Sequence, residues 1–294
     1  MNKPNLFLIG SPKCGTTALA MNLAQHKDIY LPKQKEPRYF DRTIFYDYEE
    51  EYFTKTLDEY LAFYQDVDDS KYMMDASVFN MYKQESIEGI LALSPDAKFI
   101  IILRDPIESS ISMHRQRLTY IDTKMRELSD DFNECWNLLE KRKRDQGYPK
   151  GCRNKFLFRY DLLYSYENYL PYLRERLGNK LFIGFYEDYK EKPEDFFEKL
   201  FVFLGIEKIE VENKKMNNSL ILKESIVLNT LELLQKYTLP LRKKIGLSGL
   251  KGLKTKVLEF YKQDKKRVEV DKKIYEYFQP TYEYLEKLKD ELKD

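Results

Sequence analysis

Apolar positions along this chain fall into two patterns. Short unbroken runs occur at NLFLI (5–9), DIYLP (28–32), KYMMD (71–75), KFIIIL (98–103) and KLFIGFY (180–186). Runs of that length, rich in β-branched and aromatic residues, suit strands covered on both faces. Between them, apolar residues recur every three or four positions. That spacing predicts helices near 83–94, 106–120, 132–144, 161–177 and 193–204, and one starting at Thr17 with Leu19, Ala20, Leu23 and Ala24. The helix at 106 carries its own start signal: Asp105 to cap it, Pro106 in the first turn and Glu108 at capping-box spacing. Strands alternating with helices predict an α/β fold, a parallel five-stranded sheet flanked by helices. Ligands of such sheets bind at the carboxyl ends of the strands, where Gly10, Asp75 and Arg104 should converge.

The rest of the chain reads differently. Residues 1–205 hold the α/β pattern, and 206–294 form a helical, basic C-terminal region of the same single domain. From about 271, Ile274, Phe278, Leu285, Leu288 and Leu292 mark an amphipathic helix that Pro280 should bend or break. The acidic segment 41–69 reads as solvated surface. The basic run 241–256 reads as a lid, an acceptor clamp or a solvated loop.

Charge and composition narrow the function. Lys and Arg number 50 against 49 Asp and Glu, a net charge of +1, so no global field draws the chain to nucleic acid or lipid. No apolar run approaches the roughly 20 residues of a membrane span, and NLFLIG is too short for a signal-peptide core. A cytoplasmic protein is expected, with Cys14, Cys135 and Cys152 as free thiols. With His26 and His114 as the only two histidines, no histidine-based metal site is expected. His26 reads as a cap on the first helix, and His114 as packing or surface.

The chemistry starts in FLIGSPKCGTTAL (7–19). Gly10 and Gly15 have phosphate-loop spacing, but Lys13 lies inside the loop and Thr16 follows the second glycine. A glycine-rich turn opening a helix aims several N–H groups at one point and adds the helix dipole. Lys13 adds a mobile charge; Thr16 and Thr17 add hydroxyls. The strand FIIIL then ends at Arg104, where a metal-dependent phosphotransferase would carry an aspartate. An arginine there suits a phosphate or sulfate oxygen. A transferring sulfuryl group carries less charge than a γ-phosphoryl, so lysine and backbone donors suffice without a divalent ion.

SPKCGTT followed by FIIILRDPIESSISMH resembles the sulfotransferases that use 3′-phosphoadenosine 5′-phosphosulfate, nearest their carbohydrate (heparan-sulfate-like) branch and its bacterial relatives. The resemblance spans roughly 5–205, including FYEDYKEKPEDFFEKLFVFLGI (185–206), and implies the P-loop-like sulfotransferase fold. It implies that the loop from Lys13 through Cys14, Gly15, Thr16 and Thr17 grips the 5′-phosphosulfate. It also implies that Arg104 and Ser112, eight residues on, hold the 3′-phosphate. LPKQKEPRYFD (31–41) resembles the branch's KEPHFF stretch, which makes Glu36 the catalytic base and Lys13 its cationic partner in catalysis. Lys33, Lys35 and Arg38 around it suit an acidic sugar or steady Glu36. The chain departs from the family at Arg38, which stands for a histidine, and at Asp75–Ala76, where relatives place a lysine after the acid. Both positions fall near the acceptor, so Lys35, Arg38 and Asp75 are its expected contacts. Tyr160 and Arg153 are further candidates for the nucleotide. The Cys14 thiol reads as a small group filling a turn. Two rival functions remain open from sequence: a Mg-ATP phosphotransferase, and a non-catalytic nucleotide- or glycan-binding module.

Overall fold

Strand β1 (Leu6–Gly10) is buried at all five residues, and β4 (Lys98–Leu103) at all but its first. That enclosure explains their unbroken apolar sequence. They lie in the middle of one parallel sheet in which β2 (Ile29–Tyr30), β3 (Tyr72–Asp75), β1, β4 and β5 (Leu181–Phe185) follow in spatial order. The expected fold is the observed one, with each strand within two residues of its predicted bounds. The computed structural model describes residues 2–42, 56–65, 67, 70–120, 122–152, 154–212, 221–222, 262–263 and 268–292. Arg153, residues 43–55 and the basic run 241–256 lie outside the described residues.

The chain forms two compact units. The first joins Met1–Ser109, Tyr164–Met216 and Phe278–Asp294; the second joins Ser110–Leu163 and Asn217–Tyr277. In the first unit, period-two alternation sends Leu6, Leu8, Ile100 and Ile102 to one face. There they meet Leu19, Ala20 and Leu23 of α1 (Thr16–Leu23) and the phenylalanines of α10 (Pro193–Leu204). Phe7 and Phe99 point to the other face and stack at 5.7 Å. The last carbonyls of α10 are met by three side chains: Lys98 on Phe203, Tyr72 on Leu204 and Lys71 on Gly205. They satisfy groups that a helix end otherwise leaves unpaired.

Between these elements the first unit also holds α2 (Leu57–Leu61), α3 (Gln84–Leu93), α8 (Leu170–Leu177) and α9 (Tyr186–Glu191). Helix α4 (Pro106–Leu118) starts where predicted, and Asp105 Oδ1 accepts from the Glu108 amide at 2.8 Å. The capping box is only half formed, because the Glu108 carboxylate turns to Arg104 instead, at 3.3 Å. The predicted 161–177 helix divides into α7 (Tyr160–Tyr164), a 3-10 turn and α8. In the second unit α5 (Phe132–Asn137) and α6 (Leu139–Arg142) divide the predicted 132–144 helix. The unit's interior is polar at one point: Glu127 takes Arg142 on one oxygen and the Tyr160 hydroxyl on the other, at 2.8 Å for the latter. A two-residue antiparallel ladder pairs Ile221–Leu222 with Lys262–Gln263.

Two expectations need correction. Pro280 does not break helix α11 (Lys272–Glu291), which continues on both sides of it. Pro280 is exposed, so the carbonyl it leaves without a donor faces solvent. Ile274, Phe278, Leu285 and Leu288 are buried as predicted, but Leu292 is 45 % exposed. The acidic segment is not all solvated surface. Asp41, Tyr60, Leu61 and Tyr64 are buried, because Tyr39, Phe40, Tyr60 and Tyr64 pack ring against ring.

Candidate active site

The sheet order makes β1 and β4 diverge in connectivity. From β1 the chain goes out through β2 and returns by β3, then crosses to β4 on the other side. That is a topological switch point, where a crevice opens at the carboxyl edge. The loop after β1 and Arg104 after β4 meet there. Ser11 begins the loop by donating to the Ile102 carbonyl at 2.9 Å, which ties it to β4. Lys13 and Gly15 both take left-handed backbone angles, φ 67° and 80°. Gly15 is the N-cap of α1, and no side chain caps the helix. Its first amides therefore face the crevice mouth, where an anion is favoured by both donors and dipole. Thr16 is buried and Thr17 exposed at that end.

Arg104 is fixed from three directions. Its Nη1 donates to the Lys13 carbonyl at 3.4 Å, its Nη2 lies 3.3 Å from Glu108, and its guanidinium sits 4.7 Å over the Tyr186 ring. Sequence reasoning missed Tyr186. Its ring also fills the space beside Gly15, where an added Cβ would stand 2.9 Å from two ring carbons. One aromatic side chain thus joins the loop glycine to the strand-end arginine. The signal was present in FYED at the end of β5, an aromatic aimed at the same edge. Gly15→Ala meets both this wall and an unfavourable φ. It should destabilise the protein by about 1–3 kcal/mol and cost tenfold or more in affinity for a nucleotide anion, read by urea unfolding and calorimetry.

Cys14 is fully buried, its sulfur 3.6 Å from Ser109 Oγ and 3.7 Å from the Tyr166 hydroxyl. Burial pushes its thiol up, against smaller opposing contributions from Ser109, Tyr166, Ser11 and Arg104. Its amide turns back on Ser11 at 3.3 Å. The residue fills the turn and offers an anion neither its sulfur nor a free amide.

The second half of the site follows β2. Residues 35–38 are laced to the end of β3: Ala76 N–H donates to the Lys35 carbonyl at 3.2 Å and Arg38 N–H to Ser77 Oγ at 3.1 Å. This holds Glu36 between two cations. Lys35 Nζ is 2.9 Å from Oε1 and Arg38 Nη2 is 2.8 Å from Oε2. Burial opposes the charge on Glu36, but the Lys35 ammonium and the Arg38 guanidinium outweigh it and hold the carboxyl below its ordinary range. A carboxylate offers about four lone-pair sites, so two remain for a proton. Arg38 occupies the family's histidine position with φ 57°, its guanidinium 5.6 Å over the Phe79 ring.

Behind Glu36 lies a buried acid pair. Asp75 accepts from Tyr60 at 2.7 Å and from the Ser77 amide at 2.8 Å. Burial raises its carboxyl, against those two hydrogen bonds. Asp41 is also fully buried, and neither carboxylate oxygen has a hydrogen-bond partner. Asp75 is buried with both oxygens engaged, by Tyr60 and by the Ser77 amide, and so ties down the end of β3 to which the Glu36 loop is laced.

Two expected nucleotide residues belong to the second unit. Ser112 is half-buried on α4, two turns beyond its start. Tyr160 is fully buried with its hydroxyl on Glu127 and belongs to that interior network. His114 is buried and its Nε2 is 3.0 Å from the Ser129 carbonyl, a packing role. Ala24 is the C-cap of α1; the His26 amide donates to the Leu23 carbonyl at 3.0 Å, and its Nε2 lies 2.9 Å from the Glu207 carbonyl.

Known proteins resemble this chain in sequence and in fold. The membrane-associated sulfotransferase kil1 of Dictyostelium discoideum is 28 % identical over 118 residues, 40 % of this chain and 24 % of that protein. Human heparan sulfate glucosamine 3-O-sulfotransferase 3B1 is 31 % identical over 120 residues, 40 % of this chain and 27 % of that one. The chain thus spans about a quarter of the length of these curated relatives. The crystal structure of a sulfotransferase from Alicyclobacillus acidocaldarius superposes with a TM-score of 0.63 at 24 % identity, covering 82 % of this chain and 93 % of that one, a likeness at the level of the fold. Among the described residues, no helix is long and apolar enough to cross a membrane. The family model described as Sulfotransferase domain matches residues 3–290, nearly the whole sequence, and the chain belongs to the sulfotransferase family.

Proposed function

We propose that this protein moves a sulfuryl group from 3′-phosphoadenosine 5′-phosphosulfate to a hydroxyl of a carbohydrate acceptor. The observation that carries the proposal is the hydrogen bond from Arg104 Nη1 to the Lys13 backbone carbonyl, which brings the guanidinium to the loop, beside an α1 N-terminus with no side-chain cap. An arginine, a loop lysine and a helix N-terminus suit a ligand with anionic groups at both ends. The loop amides, Thr16, Thr17 and the Lys13 ammonium take the 5′-phosphosulfate. Lys13 then stabilises the charge that develops on the oxygen linking sulfur to phosphorus as that bond breaks. Arg104 takes the 3′-phosphate.

Glu36 receives the proton of the acceptor hydroxyl as its oxygen attacks sulfur in line. The products are the sulfate ester, adenosine 3′,5′-bisphosphate and one proton. Lys35 and Arg38 keep Glu36 ionised through the neutral range, so the base is always in its accepting form. Their charge also suits an acidic sugar as acceptor, in keeping with the heparan sulfate enzyme among the relatives. Cys14, Asp75 and Tyr160 have no place in this scheme.

Calorimetry tests the donor. A 3′-phosphate held by an arginine adds a charge-assisted contact of about 1.5–3 kcal/mol, so adenosine 3′,5′-bisphosphate should bind about 10- to 100-fold tighter than AMP. Equal affinities would sink the donor assignment.

A further inference from the structure

We propose that Arg117 is an oxyanion-binding residue in the second unit, separate from the residues assigned to the nucleotide. The side chain is 2 % exposed, and its Nε and Nη1 have no hydrogen-bond partner. Among the described residues no carboxylate pairs with it. The contrast with Arg142 in the same unit is informative. Arg142 is equally buried, but its nitrogens are spent on Gly147, Phe158 and Glu127. Glu127 is bonded on both oxygens, the second by the Tyr160 hydroxyl, and makes no ion pair with Arg117.

Two features soften the burial of Arg117 without satisfying it. Its guanidinium stacks 4.3 Å from the Tyr120 ring and lies 6.0 Å from the Phe158 ring. It also occupies the last turn of α4, where the helix dipole favours a cation. A ring face and a dipole compensate charge, but neither accepts the N–H bonds of a fork built for two oxygens. A stack contributes less than the desolvation of a guanidinium costs. A buried arginine with unmade donors is completed by a ligand that brings both negative charge and oxygen acceptors: a sulfate, phosphate or carboxylate. Arg117 lies five residues beyond Ser112, 500° around the helix at 100° per residue, so it faces a different side of α4. The group it takes is a second anion.

That second anion has two sources, a free inorganic oxyanion or the acid group of a sugar. Thermal unfolding with adenosine 3′,5′-bisphosphate saturating separates them. Sulfate is added in one arm, and glucuronate against glucose in the other. At about ten times its Kd, a site-bound anion should raise Tm by about 3 °C. Sulfate alone acting identifies a free oxyanion, and glucuronate acting where glucose does not identifies an acid sugar. Arg117→Gln should abolish either response. No response in the wild type, or an undiminished response in the variant, overturns the proposal. Should Arg117→Gln fail to fold, crystals of the wild type soaked in selenate decide. An anomalous peak within hydrogen-bond reach of Nε or Nη1 supports the site, and a map featureless there overturns it. The soak does not depend on the nucleotide binding as proposed.

Discussion

Glu36→Gln should lower turnover by about 10²- to 10⁴-fold while leaving the affinity for adenosine 3′,5′-bisphosphate nearly unchanged. The amide keeps the shape of the carboxylate and cannot accept the proton. Lys35 and Arg38, 2.9 and 2.8 Å away, lose their counter-charge but keep a carbonyl oxygen between them. The measurement is transfer of label from a radiolabelled donor to an acceptor oligosaccharide, beside calorimetry of the bisphosphate. Full turnover in the variant would remove Glu36 from the mechanism. A matching loss of nucleotide affinity would make it a donor-site residue. The rate–pH profile carries a second check. Because two cations hold Glu36 below the ordinary carboxylate range, the acid limb should lie below that range. Arg38→Met removes one of them and leaves burial to act against the charge. The acid limb should then move to higher pH, and an unmoved limb would mean that Arg38 does not tune the base.

Much of this was legible in the sequence, and the parts that were not share a cause. The strands and the loop were readable because they are local: KFIIIL names a strand enclosed on both faces, and GSPKCG names a turn that only glycine angles permit. Arg104 was readable because it follows a strand, and a strand end in a parallel sheet has a known address. Asp75 follows a strand too, yet it faces inward onto Tyr60. Nothing in KYMMD distinguishes an acid that meets substrate from one that anchors a loop. That choice is made by a tyrosine fifteen residues earlier, in a segment whose acidic composition reads as surface. The burial of Tyr160 was unreadable for the same reason, since its partner Glu127 lies in a stretch with no regular element. Tyr186 was missed because its importance comes from standing between Gly15 and Arg104, which are far apart in sequence. Pair relations across the fold are what composition and periodicity do not carry.

Asp41→Asn should stabilise the protein strongly above neutral pH and hardly at all near pH 4. Burial pushes the Asp41 carboxyl up to about 7; Arg38 opposes that, and the neighbouring carboxylates of Asp75 and Glu36 add to it. With a folded-state value above the unfolded one, the native protein holds a proton that the unfolded chain has released. Below about pH 3.8 both states are protonated and the charge costs nothing. Between there and about 7 the native state loses about 1.4 kcal/mol of stability per pH unit relative to the unfolded chain. Above about 7 both are ionised and the full cost is present, on the order of 4 kcal/mol as an upper bound. Asparagine has the shape of the protonated acid and no charge to desolvate, so it escapes that cost. Urea unfolding at pH 8 should show a gain of about 2–4 kcal/mol, shrinking to a few tenths at pH 4. A gain that stays the same at both pH values would mean that Asp41 carries no buried charge. A loss at pH 8 would mean that ionised Asp41 is needed to hold Arg38. The second outcome would tie the buried acid to the base, because Arg38 is one of the two cations that keep Glu36 ionised.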